Sequence, residues 1–155
     1  MAASVEAPPH GVTLAGYARI SARVAEGDSP TAKVIEAEGL DDPKWTEINR
    51  VWLTRMGDDA RARGVECTLA IEYSDAFGRA QDAIKPVVEM TAEDWATLMV
   101  EIQQTARPVP ALAIRGLSQA DFSRLVRHWA KRLATDPEQN ARFMQVYESM
   151  QPGRP

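Results

Sequence analysis

The sequence of 155 residues is poor in metal- and redox-active side chains: one cysteine, Cys67, and two isolated histidines, His10 and His128. A single thiol excludes an intramolecular disulfide framework and a cysteine-rich zinc cluster, and two histidines far apart do little to restore a metal site. Neither a metal nor a cofactor is expected. No apolar run approaches the roughly 18 residues that a membrane span needs. Met1 to His10 has neither the basic nor the apolar block of a secretory signal, so the expected location is the cytoplasm, signal-independent secretion leaving no such mark. An excess of positive charge is missing too: 18 Lys+Arg stand against 22 Asp+Glu, net −4, which argues against nucleic acid and anionic membrane as partners. What is present, 45% hydrophobic and 26% charged residues, is the composition of a soluble globular protein.

The chain also resembles itself. Thr13, Gly16, Tyr17, Ala18 and Ile20 align with Thr91, Asp94, Trp95, Ala96 and Leu98 at an offset of 78. Gly39, Leu40, Trp45, Ile48 and Arg50 align with Gly116, Leu117, Phe122, Leu125 and Arg127 at an offset of 77, and Trp52, Arg55, Met56 and Asp59 continue the block as Trp129, Arg132, Leu133 and Asp136. Leu69, Ala70 and Tyr73 then set against Phe143, Met144 and Tyr147 at an offset of 74. Two ordered blocks of this kind read as two diverged copies of one unit.

Both copies read as helical. Thr13 is an N-cap ahead of Leu14, Tyr17, Ile20 and Val24, and a short helix after Ser29-Pro30 can end at Gly39. Asp42-Pro43 starts a third helix through Trp45, Ile48, Trp52 and Met56, which Gly57 is expected to break. Asp58 or Asp59 would then cap a fourth, with the stripe Val65, Leu69, Tyr73, Phe77, Ala80 and Ile84 ending before Pro86. In the second copy Thr91 with Asp94, Ser118 with Asp121, and Asp136-Pro137 supply the caps. No segment shows sustained period-two alternation, and no sheet is expected. The expected fold is all-α: two tandem repeats, each with three main helices and a short one, packed as one bundle about an approximate twofold axis. The expected boundaries are a disordered start at 1–11, repeats at 12–85 and 91–150, a linker at 86–90 and a disordered tail at 151–155.

Chemistry is harder to find. Trp52-x-x-Arg55 with Asp59, repeated as Trp129-x-x-Arg132 with Asp136, reads as scaffolding, with arginine against indole and the aspartate pairing with that arginine. Arg124, Arg127, His128 and Lys131 share one helix with helical neighbour spacing, which allows a basic stripe. Residues 1–85 carry 10 basic and 14 acidic side chains and residues 86–155 carry 8 and 8, so the stripe stands out locally. Glu36, Glu38, Asp41 and Asp42 form an acidic cluster at the turn before the third helix, without calcium-loop spacing and with Asp42 as the cap. No spacing joins a nucleophile, a base and an oxyanion site, so no catalytic residue is expected.

The string Gly-Leu-Asp-Asp-Pro-Lys-Trp at 39–45, with Trp52-x-x-Arg55-Met56, resembles an uncharacterised family of bacterial helical repeat proteins. The resemblance covers most of Gly11 to Tyr73 and, more weakly, Met90 to Tyr147. It implies a modular bacterial protein attached to, or encoded beside, effector or secretion machinery, and carries over no catalytic residue. The functional expectation is a non-catalytic protein-protein interaction module, an adaptor or chaperone-like accessory protein. Its partner, another protein, would be held by the groove between the repeats or by Arg124, Arg127, His128 and Lys131. The alternative is an immunity-type inhibitor that masks a basic toxin with Glu36, Glu38 and Asp41. A small enzyme using acidic residues and His128 is a third possibility.

Overall fold

Thr13 opens the first helix, α1 (Leu14–Glu26), with an extended backbone and a hydroxyl that accepts the Gly16 N–H at 3.1 Å. In the computed structural model, which describes residues 6–153, α1 belongs to a unit ending at Lys85, and a second unit begins at Pro86. The described residues contain helices and no strand. Of the ends expected to be disordered, 1–11 and 151–155, residues 1–5 and 154–155 lie outside the described residues.

In the first unit α1 is followed by α2 (Thr31–Ala37), α3 (Asp42–Arg63) and α4 (Leu69–Ile84). The end of α2 is built by Gly39 at φ 74°: its N–H donates to Glu36 O, and the Leu40 N–H donates back to Ile35 O at 3.0 Å. Leu40 then packs beside Val34 and Ile35, the apolar contact that accompanies this helix stop. Asp41, rather than Asp42, caps α3 by accepting the Lys44 N–H at 2.9 Å, and Asp42 sits in the first turn.

The end of α3 departs from expectation. The helix runs through Gly57 to Arg63 and stops at Gly64, where φ is 58°. A glycine inside a helix costs about 1 kcal/mol, which does not break a 22-residue helix with ion pairs across the same turns, Arg61 with Asp58 and Arg63 with Asp59. A 3-10 turn, Gly64–Glu66, follows, and Val65 is 96% exposed instead of joining the apolar stripe. Helix α4 has no cap of its own. Asp59 reaches forward from α3 and accepts the N–H groups of Thr68 and Leu69 at 2.8 and 3.0 Å.

Tyr17, Ile48 and Trp52 form one core cluster of this unit and Ile20, Val34 and Ile35 another, with Val12, Leu40 and Trp45 packed on both. Full burial of each isoleucine contributes roughly 1.5–3 kcal/mol. Tyr17 stacks obliquely on Trp45 and Tyr73, and its hydroxyl donates to Asn49 Oδ1 at 2.8 Å. Burial, with the neighbouring Tyr73, pushes the Tyr17 phenol up from its ordinary value. Ala18 and Ala22, both fully buried on α1, allow α4 to approach closely. Lys85, after α4, closes the unit on Glu26 at 3.3 Å and Asp28 at 2.9 Å, and the Asp28 bond, foremost, raises its pKa.

The second unit runs α5 (Ala92–Gln104), α6 (Pro108–Ile114), α7 (Gln119–Thr135) and α8 (Pro137–Ser149). Thr91 accepts the Asp94 N–H, Ser118 and Asp121 form a complete capping box, and Asp136 accepts the Gln139 N–H. Gly116, at φ 70°, ends α6, and the Leu117 N–H returns to Leu112 O at 3.0 Å. Trp95, Leu98, Leu112, Leu117, Leu125 and Trp129 make the core, with Phe122, Leu133 and Phe143 around it.

Candidate functional site

The basic stripe of α7 does not form a solvated face. Arg124 is 1% exposed, with its guanidinium 3.5 Å from Asp121, whereas Arg127 and His128 are half-buried and only Lys131 is exposed. His128 sets its ring edge against Trp129 at 5.4 Å between centroids, and Arg132 lies over the same indole at 5.7 Å. His128 and Arg132 also line a concavity of about 630 Å3 with Met90, Thr91 and Asp94.

The acidic cluster likewise separates into different tasks. Glu38 binds Arg19 through both oxygens, at 2.6 and 2.9 Å, and Arg23 at 3.0 Å, tying the end of α2 to α1. The hydrogen bonds from Arg19, and behind them the charges of both guanidiniums, hold the Glu38 carboxyl below its ordinary value and raise Arg19. Asp41 is a helix cap, while Glu36 and Asp42 are exposed. No group of three or more His, Cys, Asp or Glu side chains capable of holding a metal ion occurs among the described residues.

The two Trp-x-x-Arg pairs stack as expected, Arg55 over Trp52 at 5.0 Å. Arg55 then pairs with Glu6 at 3.1 Å and donates to Ala7 O, while Asp59 takes Arg63 instead. The reason is the length of α3: Asp59 remains in the helix and turns to the α4 terminus. Glu6 to Gly11, counted with the frayed start on sequence grounds, is thereby held to α3, where His10 Nε2 also meets Glu47 at 2.8 Å. The indoles differ in one respect. Trp52 Nε1–H donates to Val12 O at 3.0 Å, whereas buried Trp129 Nε1–H has no acceptor among the described residues.

Besides a small concavity of about 180 Å3 lined by Arg23, Glu26, Asp28, Ser29, Val34 and Ile84, the first unit has two larger ones. One, of about 510 Å3, lies at the start of α1 and is polar; its side chains His10, Arg19 and Lys44 face Glu47, Glu38 and Asp41 respectively, so each already has a carboxylate partner. The other, of about 460 Å3, is a groove between α1 and α4. Its floor is Ala15, Ala76, Ala80, Ala83 and Ile84, and its rim is Arg19, Arg23 and Arg79. No lining residue is acidic. Sequence reasoning missed this groove. Ala15, Arg19 and Arg23 follow one another at helical spacing, as do Ala76, Arg79, Ala80 and Ala83, but only the α1–α4 contact brings the two rows together.

What the groove offers chemically is apolar burial flanked by guanidiniums. It has no nucleophile, and its only titratable side chains are arginines, which stay protonated. Comparison with protein-family models, curated proteins and solved structures finds no match to the chain.

Proposed function

We propose that the chain is a non-catalytic protein-protein interaction module of two diverged tandem copies, an adaptor or chaperone-like accessory protein in a bacterial system. The repeat reading is supported by details that sequence alignment does not contain. Each unit has a seven-residue helix ending on a left-handed glycine, with a leucine N–H returning to the third residue before the cap. Each sets an aromatic pair at similar spacing, Tyr17 with Trp45 at 5.6 Å and Trp95 with Phe122 at 5.9 Å. Each ties its first helix to the end of the short one by an ion pair whose charges are exchanged: Arg23 with Glu38, and Glu101 with Arg115 at 2.7 Å. Compensating reversal at aligned positions is what divergence from one ancestor leaves. Pairing of the copies about a twofold axis is the remaining part of this proposal.

The observation that carries the binding role is the groove between α1 and α4, an apolar concavity turned to solvent in a unit whose polar clusters serve as caps and struts. An immunity-type role would draw on the acidic cluster, of which Glu38 and Asp41 are already engaged inside the unit. The test is affinity capture with tagged full-length protein, followed by reconstitution of any captured protein from purified components. A stoichiometric complex by ultracentrifugation is the expected result, and a toxin as the captured protein would select the immunity role. Absence of any reconstituted partner would overturn the module.

A further inference from the structure

On the reading of the chain as a binding module, we infer that the α1–α4 groove receives an acidic amphipathic helix of another protein. That helix sets large apolar side chains on the alanine floor and carboxylates against Arg19, Arg23 and Arg79. The floor is shallow in its own side chains, since four of its five residues are alanine, and the long arginine stems stand above it on both sides. A depression of this shape is complementary to bulky side chains projecting from a rod, the helix-in-groove mode, in which anchors recur at three- and four-residue spacing.

Charge selects the occupant. Glu38 is a single carboxylate shared by the Arg19 and Arg23 guanidiniums, and the next carboxylates along α1, Glu26 and Asp28, pair with Lys85 beside a neighbouring concavity. Arg79 on the α4 side has no described carboxylate within ion-pair distance, and is exposed. On α4, Glu72 precedes Ala76 by about one turn, Asp75 is its neighbour in sequence and Asp82 lies between Ala80 and Ala83, but none of the three lines the groove. A chain of net −4 does not attract nucleic acid or anionic membrane through so small a patch, and no aromatic ring lines it for base stacking.

The second copy supplies a contrast. The positions aligned with Ala15, Arg19 and Arg23 are Glu93, Thr97 and Glu101, so the face aligned with the α1 rim lacks its arginines and carries carboxylates. The basic rim is therefore a property of one copy and is not required by the helical unit.

The experiment uses the full chain and two fluorescein-labelled helical peptides of about 20 residues, each with leucines at helical spacing, flanked by glutamates in one and lysines in the other. Fluorescence anisotropy should show binding of the glutamate peptide that weakens with salt, and the lysine peptide at least about tenfold weaker. Arg79→Glu and Ala83→Trp, both at exposed positions, should each weaken the glutamate peptide about tenfold or more while leaving the far-UV circular dichroism unchanged, and Arg61→Glu should leave binding as in the wild type. The inference is overturned if neither peptide binds below about 1 mM, a very weak interaction on the affinity scale, if the two bind alike, or if both variants bind as wild type. A dimer of the chain that Ala83→Trp dissociates would overturn it in favour of a second copy as occupant. A captured partner retained by both variants would refute this groove and leave the module standing, whereas peptide binding without any captured partner would do the reverse.

Discussion

Exchanging each core tryptophan for phenylalanine should have unequal effects in the two units, although Trp52 and Trp129 occupy aligned positions. Both are buried, at 8% and 2% exposure, and both carry an arginine over the ring, at 5.0 and 5.7 Å. The apolar area lost from indole to phenyl is therefore alike and cancels in the comparison. What does not cancel is the N–H. Trp52→Phe removes a 3.0 Å hydrogen bond to Val12 O, a net contribution of roughly 1 kcal/mol, and leaves that carbonyl without its donor. Trp129→Phe removes a buried donor that has no acceptor among the described residues, relieving a penalty of roughly 1–3 kcal/mol. Trp52→Phe should therefore cost about 2 kcal/mol or more beyond Trp129→Phe. Urea unfolding followed by circular dichroism at 222 nm, with emission of the tryptophans that remain, measures both. Equal costs, or a larger cost for Trp129→Phe, would refute the reasoning and place an acceptor at Trp129.

Glu38 has a depressed folded-state pKa, so its stabilising contribution is complete above the ordinary carboxyl value of 4.5 and is lost as pH falls through the lower folded value. Thermal melts between neutral and acid pH should show a shallower acid loss for Glu38→Gln than for wild type. Gly116→Ala places a side chain at φ 70° and should cost about 1 kcal/mol in a urea titration, despite open space around the glycine. Arg124→Ala removes a buried guanidinium beside Asp121 and should cost roughly 3–5 kcal/mol in the same titration, whereas exposed Lys131→Ala should stay within about 0.5 kcal/mol.

The local parts of this fold were legible because their causes are local. Thr13, Ser118 and Asp136 each bond an N–H three residues on, and Gly39 and Gly116 close turns within six residues, so short strings hold the whole signal. The end of α3 was not legible for a physical reason. Gly57 and Gly64 look alike as breakers, and the outcome depends on Asp58 and Asp59 binding arginines farther along, and on Asp59 satisfying two N–H groups nine and ten residues ahead. The α7 stripe misled in the opposite way. Periodicity places Arg124 in the same arc as Ala120 and Leu125 while its charge suggests exposure, and tertiary packing buries all three. The groove required two helices distant in sequence to meet, and neither row of small residues announces its partner.

Glu38 stands in a double relation to the groove, and the two effects have opposite signs. Neutralising one guanidinium reduces attraction for an acidic helix, but the pair is exposed enough that a single charge there is worth about 0–1 kcal/mol. Holding Arg19 and Arg23 in fixed rotamers removes disorder that binding would otherwise have to remove, roughly 0.5–1.5 kcal/mol for each side chain. Ordering outweighs charge. Glu38→Gln should therefore weaken the glutamate peptide severalfold even though it makes the rim more positive, and steepen the salt dependence because the remaining attraction is less organised and more electrostatic. Tighter binding by Glu38→Gln would show that the rim acts only through its net charge, and that the bidentate bond at 2.6 and 2.9 Å serves the α1–α2 junction alone.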